Sequence, residues 1–202
     1  MSKYLEGLLP TTGLEFDTTA SPHGPDRWGL FGNKSNGPGI SEPSDLPQEY
    51  YEEVGEREEL LEQLKIDEGV KYEVYLDHLG LATCGIGHLV LETDEESKLE
   101  VGDEISEERV IELFQKDVAS ACRDCVMLYG WSGFCEWPEE VQNILINMMF
   151  NMGNTRLSKF KKMHEALESQ NWEEAAKEGR DSKWYKQVTN RAERLMSKLE
   201  NT

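Results

Sequence analysis

Residues 66–89 read IDEGVKYEVYLDHLGLATCGIGHL, and this stretch decides how the rest of the chain is interpreted. It begins where a Glu-rich helical pattern ends, and Gly69 is placed to end that helix because glycine readily adopts a left-handed backbone. The alternation of side chains from 71 to 77 predicts a β-strand, and 81–87 predicts the strand that returns. Together they predict an antiparallel hairpin with a glycine-containing turn at 77–80.

Two carboxylates flank this hairpin: Glu68 precedes it and Asp77 lies in its turn. Glu68 faces the negative end of its helix, which disfavours the charged form and is expected to raise its pKa. Asp77 is expected to stay ionised in a polar turn, and Thr83, across the hairpin, could bind a water. Glycoside hydrolysis needs such an acid and base. Hairpin carboxylates are more often solvated charges, so the pair alone leaves both interpretations open.

The chain of 202 residues is strongly acidic, with 40 Asp and Glu against 21 Lys and Arg and a formal net charge of -19. The charge is uneven, because residues 1–140 hold 32 acidic and 10 basic residues, whereas residues 141–202 hold 8 and 11. Nucleic-acid binding requires clustered cations, so this class of partner is disfavoured. Unaided adsorption to an anionic membrane or cell wall is disfavoured for the same reason.

Targeting and cysteine signals predict a protein made in a cytoplasm. No run of 18 apolar residues is present, and the N-terminus lacks the apolar core of a signal peptide, so no membrane segment is expected. The four cysteines are therefore expected to be thiols rather than disulfides. Cys122, Cys125 and Cys135 could supply three zinc ligands, but no fourth ligand is evident, and small apolar thiols in a helical core are the simpler interpretation.

Residues 1–56 differ in composition from the rest of the chain. They contain 6 of the 7 prolines and 8 of the 17 glycines, and no helical or strand period extends through them. We interpret them as an acidic N-terminal extension, either a disordered tail or an arm that docks on a partner. Residues 57–202 are predicted to form one domain.

Downstream of the hairpin the pattern is helical. An acidic loop covers 91–104, and Ser106 is the predicted N-cap of a long helix that continues to about Leu128. Residues 139–152 are apolar on almost every side, as in a buried central helix. Further helices are predicted at 158–167, 172–177 and 190–199. The expected class is α+β, mostly α, with one small antiparallel sheet.

The residues from Glu68 to His88, in order and without a gap, resemble the phage-type lysozyme family. Further blocks continue the resemblance in the same order: Leu113-Phe114 with Asp117-Val118, Ile146-Asn147-Met148 with Phe150 and Met152-Gly153, Trp172 with Glu174-Ala175-Ala176, and Ser182-Lys183-Trp184-Tyr185 with Asn190-Arg191-Ala192. The resemblance covers about residues 57–202. It implies two lobes, one holding the small antiparallel sheet and one helical, joined by the long helix.

The resemblance also implies an activity. This family cleaves the β-1,4 bond between N-acetylmuramic acid and N-acetylglucosamine in peptidoglycan, with inversion, and no cofactor or metal is expected. Glu68 matches its catalytic acid, Asp77 its second carboxylate and Thr83 the hydroxyl that positions the attacking water. His88 and Asp117 match a structural ion pair. The substrate-binding positions that the resemblance implies are Leu89, Phe150 and Asn151 in the cleft and Arg191, an arginine that approaches the acid.

The chain departs from the family at several points. Asn151 stands where relatives carry glutamine, so a cleft hydrogen bond could be lost, and Thr189 replaces a proline. The acidic loop after Leu91 is shorter than its counterpart in the family. The chain has a negative net charge, whereas familiar members of the family are basic, and residues 1–56 have no counterpart.

Two other functions remain open at this stage. A lytic transglycosylase needs one acid and no attacking water, so the presence of both Asp77 and Thr83 argues against it. A structural or adaptor protein could keep the fold and dock through residues 1–56. For an active muramidase, the setting is either a phage particle, held at its tail or baseplate through the extension, or a free endolysin. We favour the particle, because a tethered enzyme needs no electrostatic attraction to the wall.

Overall fold

The computed structural model describes residues 48–77 and 79–202, so the interpretation of residues 1–47 lies outside the described part of the chain. A short 3₁₀ turn spans Glu95–Lys98. The strands are β1 Lys71–Leu76, β2 Ala82–Gly85 and β3 His88–Leu89. The helices are α1 Gln48–Gly55, α2 Glu58–Glu68, α3 Glu107–Tyr129, α4 Trp131–Phe134, α5 Glu139–Met152, α6 Asn154–Leu157, α7 Lys161–Glu168, α8 Trp172–Arg180, α9 Lys183–Gln187 and α10 Thr189–Glu200.

The small lobe is a three-stranded antiparallel sheet in the order β1-β2-β3. Tyr75 lies opposite Thr83, and the register between β1 and β2 shifts between Lys71 and Tyr75. The predicted second strand was too long at its end, because Gly85 and Gly87 both have positive φ and turn the chain into β3. The α+β class is confirmed.

The sheet packs on the first turns of α3. A Cβ at Gly85 would lie 3.2 Å from Val110 Cγ1, so the glycine allows this close approach. Ser106 is the N-cap of α3, as predicted, because its side chain accepts a hydrogen bond from the Arg109 backbone N–H at 3.2 Å. The helix runs on into the helical lobe and ends before Gly130, which has φ 79°.

Helix α5 forms the centre of the helical lobe, and the prediction of a buried helix there is confirmed. Its side chains are buried from Val141 to Met152 except at Asn143. The predicted helices at 158–167, 172–177 and 190–199 correspond to α7, α8 and α10. The short helices α4, α6 and α9 were missed, since four or five residues carry too little periodic signal.

Helix α1 belongs to this packed body although it lies in the segment interpreted as an extension. Tyr51 and Val54 are 2% and 0% exposed and pack in the same core as α3. The Tyr50 hydroxyl donates to Gln142 Oε1 at 2.8 Å, and its ring meets Trp131 edge to face at 5.2 Å between centroids. Residues 48–55 therefore hold the start of the described chain against the helical lobe.

Candidate active site

Glu68 is the last residue of α2, as the sequence predicted, and it lies below the surface. Gly69 ends the helix with φ 73°, and its backbone N–H donates to the Lys65 carbonyl at 2.9 Å. The Glu68 side chain is 1% exposed, and its Oε1 accepts from Arg191 Nη1 at 2.7 Å. The structure thus brings together these two predicted residues, which lie 123 positions apart in the chain.

Arg191 is itself fixed by α5. Its Nε donates to Asn147 Oδ1 at 2.8 Å, and its Nη2 donates to the Asn147 carbonyl at 3.1 Å. Arg191 and Asn147 are 7% and 1% exposed. Burial of a guanidinium with every nitrogen hydrogen-bonded leaves little freedom to move, so the position of Arg191 against Glu68 is well determined.

A second buried carboxylate, Asp67, completes this cluster. Both its oxygens accept from Arg194 Nη2, at 2.6 and 2.8 Å, and Oδ2 also accepts from Asn147 Nδ2 at 3.1 Å. Arg191 Nε lies 3.4 Å from the same oxygen. The sequence interpretation missed Asp67, Asn147 and Arg194. One signal was present: Asn147 is an uncharged polar residue in an otherwise apolar part of α5.

Asp77 is held by its own turn. Its Oδ1 accepts from the backbone N–H groups of Leu79 and Leu81, both at 2.8 Å, as in an Asx-type turn. Its Oδ2 is buried and has no hydrogen-bond partner among the described residues. The carboxylate is therefore anchored through one oxygen, while the acceptor capacity of the other is unused by the described residues.

Thr83 shares a backbone partner with Asp77. Thr83 is 1% exposed, and its hydroxyl donates to the Leu81 carbonyl at 3.1 Å. Since a hydroxyl has one hydrogen, its remaining hydrogen-bonding capacity is as an acceptor. The Leu81 carbonyl thus accepts from the Thr83 hydroxyl, and the Leu81 N–H donates to Asp77. These two hydrogen bonds fix the Thr83 and Asp77 side chains at the start of β2.

His88 lies in β3 between two carboxylates. Its Nδ1 is 3.0 Å from Asp117 Oδ2 on α3, and its Nε2 is 3.3 Å from Asp94 Oδ2, which also accepts from the Leu91 N–H at 2.7 Å. Burial acts to lower the pKa of His88, but the hydrogen bonds and charges of Asp117 and Asp94 outweigh it and raise that pKa above 6.5. Asp94 was not predicted as a partner.

The three residues predicted to contact sugar have different environments. Leu89 is half-buried and pairs with Thr83 across β2 and β3. Phe150 is 1% exposed and meets Phe114 edge to face at 5.8 Å. Asn151 is 4% exposed, and its Oδ1 accepts from Trp184 Nε1 at 2.8 Å.

The cysteines do not form a metal centre. Cys84, Cys122 and Cys125 are buried and Cys135 is half-buried, and burial raises the pKa of Cys122 to about 12. Across the described ranges, no group of three or more His, Cys, Asp or Glu is arranged to bind a metal ion. The burial of Cys84, Cys122 and Cys125 agrees with the interpretation as core thiols. In the part of the chain that the structure describes, no helix is both long and apolar enough to span a membrane.

A small sheet lobe, a long connecting helix and a helical lobe, with a buried glutamate side chain at the end of α2, just before the sheet, define a glycosidase of the lysozyme class. The chain belongs to the phage lysozyme family, since the family model described as Phage lysozyme matches residues 65–201. That membership implies peptidoglycan as the substrate class.

Individual relatives divide into two kinds. The chain is 34% identical over 154 residues to the pre-baseplate central spike protein Gp5 of Enterobacteria phage T4, an alignment that covers 67% of this chain and only 26% of the spike protein. Against the probable T4-type lysozymes 1 and 2 of Dictyostelium discoideum, it is 32% and 33% identical over 156 and 158 residues. These alignments cover 69% and 70% of this chain and 92% and 93% of the relatives.

Proposed function

We propose that this protein is an inverting muramidase, which hydrolyses the β-1,4 bond between N-acetylmuramic acid and N-acetylglucosamine. Glu68 is the general acid, and Asp77 with Thr83 positions the attacking water. The observation that carries this proposal is the arrangement around Leu81, which holds Asp77 through one oxygen and leaves its other oxygen and the Thr83 hydroxyl with unused acceptor capacity side by side on the hairpin.

The chemistry follows from these atoms. Glu68 donates its proton to the glycosidic oxygen as the bond to the anomeric carbon lengthens. A water held by Asp77 Oδ2 and Thr83 Oγ1 attacks the opposite face of that carbon and loses a proton to Asp77. The product is a new reducing end of inverted configuration, and no covalent intermediate forms.

The substrate-binding positions are proposed with unequal roles. Leu89, half-buried beside Thr83, contacts the sugar directly. Phe150 and Asn151 are almost fully buried, so they support the wall of the cleft through Phe114 and Trp184. The asparagine at position 151 still reaches the indole N–H, which supports its assignment to this structural role.

Product analysis tests the proposed reaction. Digestion of purified peptidoglycan is expected to release fragments with reducing N-acetylmuramic acid ends, and the first-formed anomer, followed by NMR, should be inverted relative to the β-linked substrate. Products ending in 1,6-anhydromuramic acid would instead identify a lytic transglycosylase. Absence of any released fragment from folded protein would favour a structural protein with this fold.

We further propose that the enzyme acts from a phage particle, held at a tail or baseplate through its N-terminal segment. Three observations support this setting: similarity to a protein named as a baseplate spike, a Pro- and Gly-rich segment outside the family match, and a net charge of -19, which a tethered enzyme tolerates. Similarity that spans 92% and 93% of the two Dictyostelium lysozymes supports the alternative, a free enzyme of the endolysin kind.

Two truncations test this attachment. A chain that begins at Gln48 is expected to hydrolyse peptidoglycan normally but to be absent from purified particles by mass spectrometry. A chain that begins at Arg57 also loses Tyr51 and Val54 from the core, so its free energy of unfolding should fall by about 3–5 kcal/mol. Comparison of the two separates docking from folding. Particles that still contain the chain starting at Gln48 would contradict attachment through residues 1–47.

A further inference from the structure

Asn147 is a buried amide at the centre of the charged cluster beside Glu68. It lies on α5 between Ile146 and Met148, and all three residues are buried. An amide at such a position is costly unless its polar atoms are hydrogen-bonded. Its Oδ1 and Nδ2 are both used, the first by Arg191 and the second by Asp67. This use fixes the orientation of the amide, because only its oxygen can accept from Arg191.

The contacts of Arg191 are divided between Asn147 and Glu68. A guanidinium can hold a carboxylate with two parallel N–H bonds, the strongest arrangement for such a pair. Here Nε and Nη2 both donate to Asn147, to the side chain and to the backbone carbonyl, and Nη1 donates to Glu68. Two of the three guanidinium nitrogens of Arg191 therefore donate to Asn147. Only Nη1 donates to Glu68, and a two-point pairing would need a second nitrogen.

We propose that Asn147 is a positioning residue that restricts the hold of Arg191 on Glu68 and so keeps Glu68 able to carry the catalytic proton. The proposal rests on the assignment of Glu68 as the general acid. A two-point pairing with Arg191 would stabilise the carboxylate form, which cannot donate a proton.

The neighbouring charges also favour a single-point contact between Arg191 and Glu68. Asp67 on α2 is a second anion near Arg191, at 3.4 Å from Nε, and Arg194 on α10 is directed to Asp67 rather than to Glu68. Asn147 on α5 maintains this division, since it donates to Asp67 and accepts from Arg191. On the hairpin, the other acidic group of the proposed site is Asp77, which its own turn holds.

The test is the pH profile of kcat/KM on peptidoglycan fragments. In Asn147→Ala, Nε of Arg191 loses its side-chain acceptor and is free to reorient toward Glu68, whereas the bond from Nη2 to the backbone carbonyl at position 147 remains. The alkaline limb, which reports the protonated acid, is expected to move to lower pH by about one unit, a roughly tenfold loss on that limb. The effect should appear mainly in kcat, because Asn147 is buried and is not proposed to contact substrate.

Asn147→Asp provides a second variant with the opposite expectation. Its carboxylate loses the N–H that Asn147 donates to Asp67 but retains the acceptor for Arg191 and binds it more strongly, so the alkaline limb should move to higher pH. The matched control is Asn143→Ala, one helical turn earlier. It removes a similar bond that an arginine donates to an asparagine, from Arg57 Nη1 to Asn143 Oδ1 at 3.0 Å. This control should lower stability and leave the pH profile unchanged.

The outcomes separate this inference from the proposed function. An active Glu68→Gln variant would refute the assignment of the acid itself and this inference with it. An inactive Glu68→Gln variant, together with an alkaline limb that does not move in either Asn147 variant, would overturn only the role of Asn147. Shifts in opposite directions in the two Asn147 variants, with none in Asn143→Ala, would support it.

Discussion

Glu68→Gln is expected to lower kcat by about 10²–10⁴-fold, the range that general acid catalysis contributes, with little change in fold. Glutamine has the same shape and can still accept from Arg191 Nη1, which lies 2.7 Å from the present carboxylate oxygen. It cannot donate a proton of comparable acidity to a leaving oxygen. KM should change little, because the substitution affects the transition state more than ground-state binding.

The measurement is release of reducing ends from purified peptidoglycan, with the melting temperature recorded for each variant. Glu62→Gln is the matched control: it is the same substitution on the same helix, and Glu62 pairs only at the surface with Lys65 at 3.0 Å. This control should retain full activity. A Glu68→Gln protein that keeps more than about a tenth of wild-type kcat would exclude Glu68 as the acid.

The sequence predicted those parts of the site that depend on local signals. Gly69 ends α2 because its backbone takes a positive φ, and Glu68 consequently lies at the helix end. The hairpin follows from alternating side chains and from the turn at Asp77, which is stabilised by contacts within four residues. Such features require no knowledge of distant partners, so a single sequence contains them.

Hydrogen-bond and ion-pair partners that are distant in the sequence could not be predicted from local signals. Asp67 lies beside the predicted acid, but its partners Asn147 and Arg194 are 80 and 127 residues further along the chain. Many arginines could have paired with it, and packing of α5 and α10 selects among them. Asp94 was missed for a different reason: it lies in an acidic loop, where one carboxylate does not stand out from its neighbours.

Helix α1 bears on where the N-terminal extension ends. Residues 48–55 were grouped with a Pro- and Gly-rich segment, yet Val54 is 0% exposed in the core. Eight residues give about two helical turns, too few for periodicity to distinguish an isolated helix from a packed one. We therefore assign the proposed docking role to residues 1–47 rather than to α1.

His88→Gln is expected to lower the free energy of unfolding by about 3–5 kcal/mol below pH 6.5, because it leaves Asp117 buried without its cationic partner. The folded-state pKa of His88 is raised above its ordinary value of 6.5 by Asp117 and Asp94, against the effect of burial. Stability from this group is thus fully present below pH 6.5 and is lost as pH rises through the raised pKa. At pH values above this raised pKa, neutral His88 still donates one N–H to Asp117 but no longer donates from Nε2 to Asp94.

Urea unfolding at a series of pH values from 5 to 9 measures this effect. The wild-type free energy of unfolding should fall in the upper part of this pH range. The difference in free energy of unfolding between wild type and His88→Gln should become smaller over the same pH values. Asp94→Asn removes one of the two anions, so it should lower the pH at which the fall occurs while keeping the pair with Asp117. Asp117→Asn combined with His88→Gln should recover part of the loss, since no buried charge is then left unpaired. A wild-type stability curve that runs parallel to that of His88→Gln from pH 5 to 9 would show that His88 does not titrate as a raised, ion-paired group, and would assign its role to packing alone.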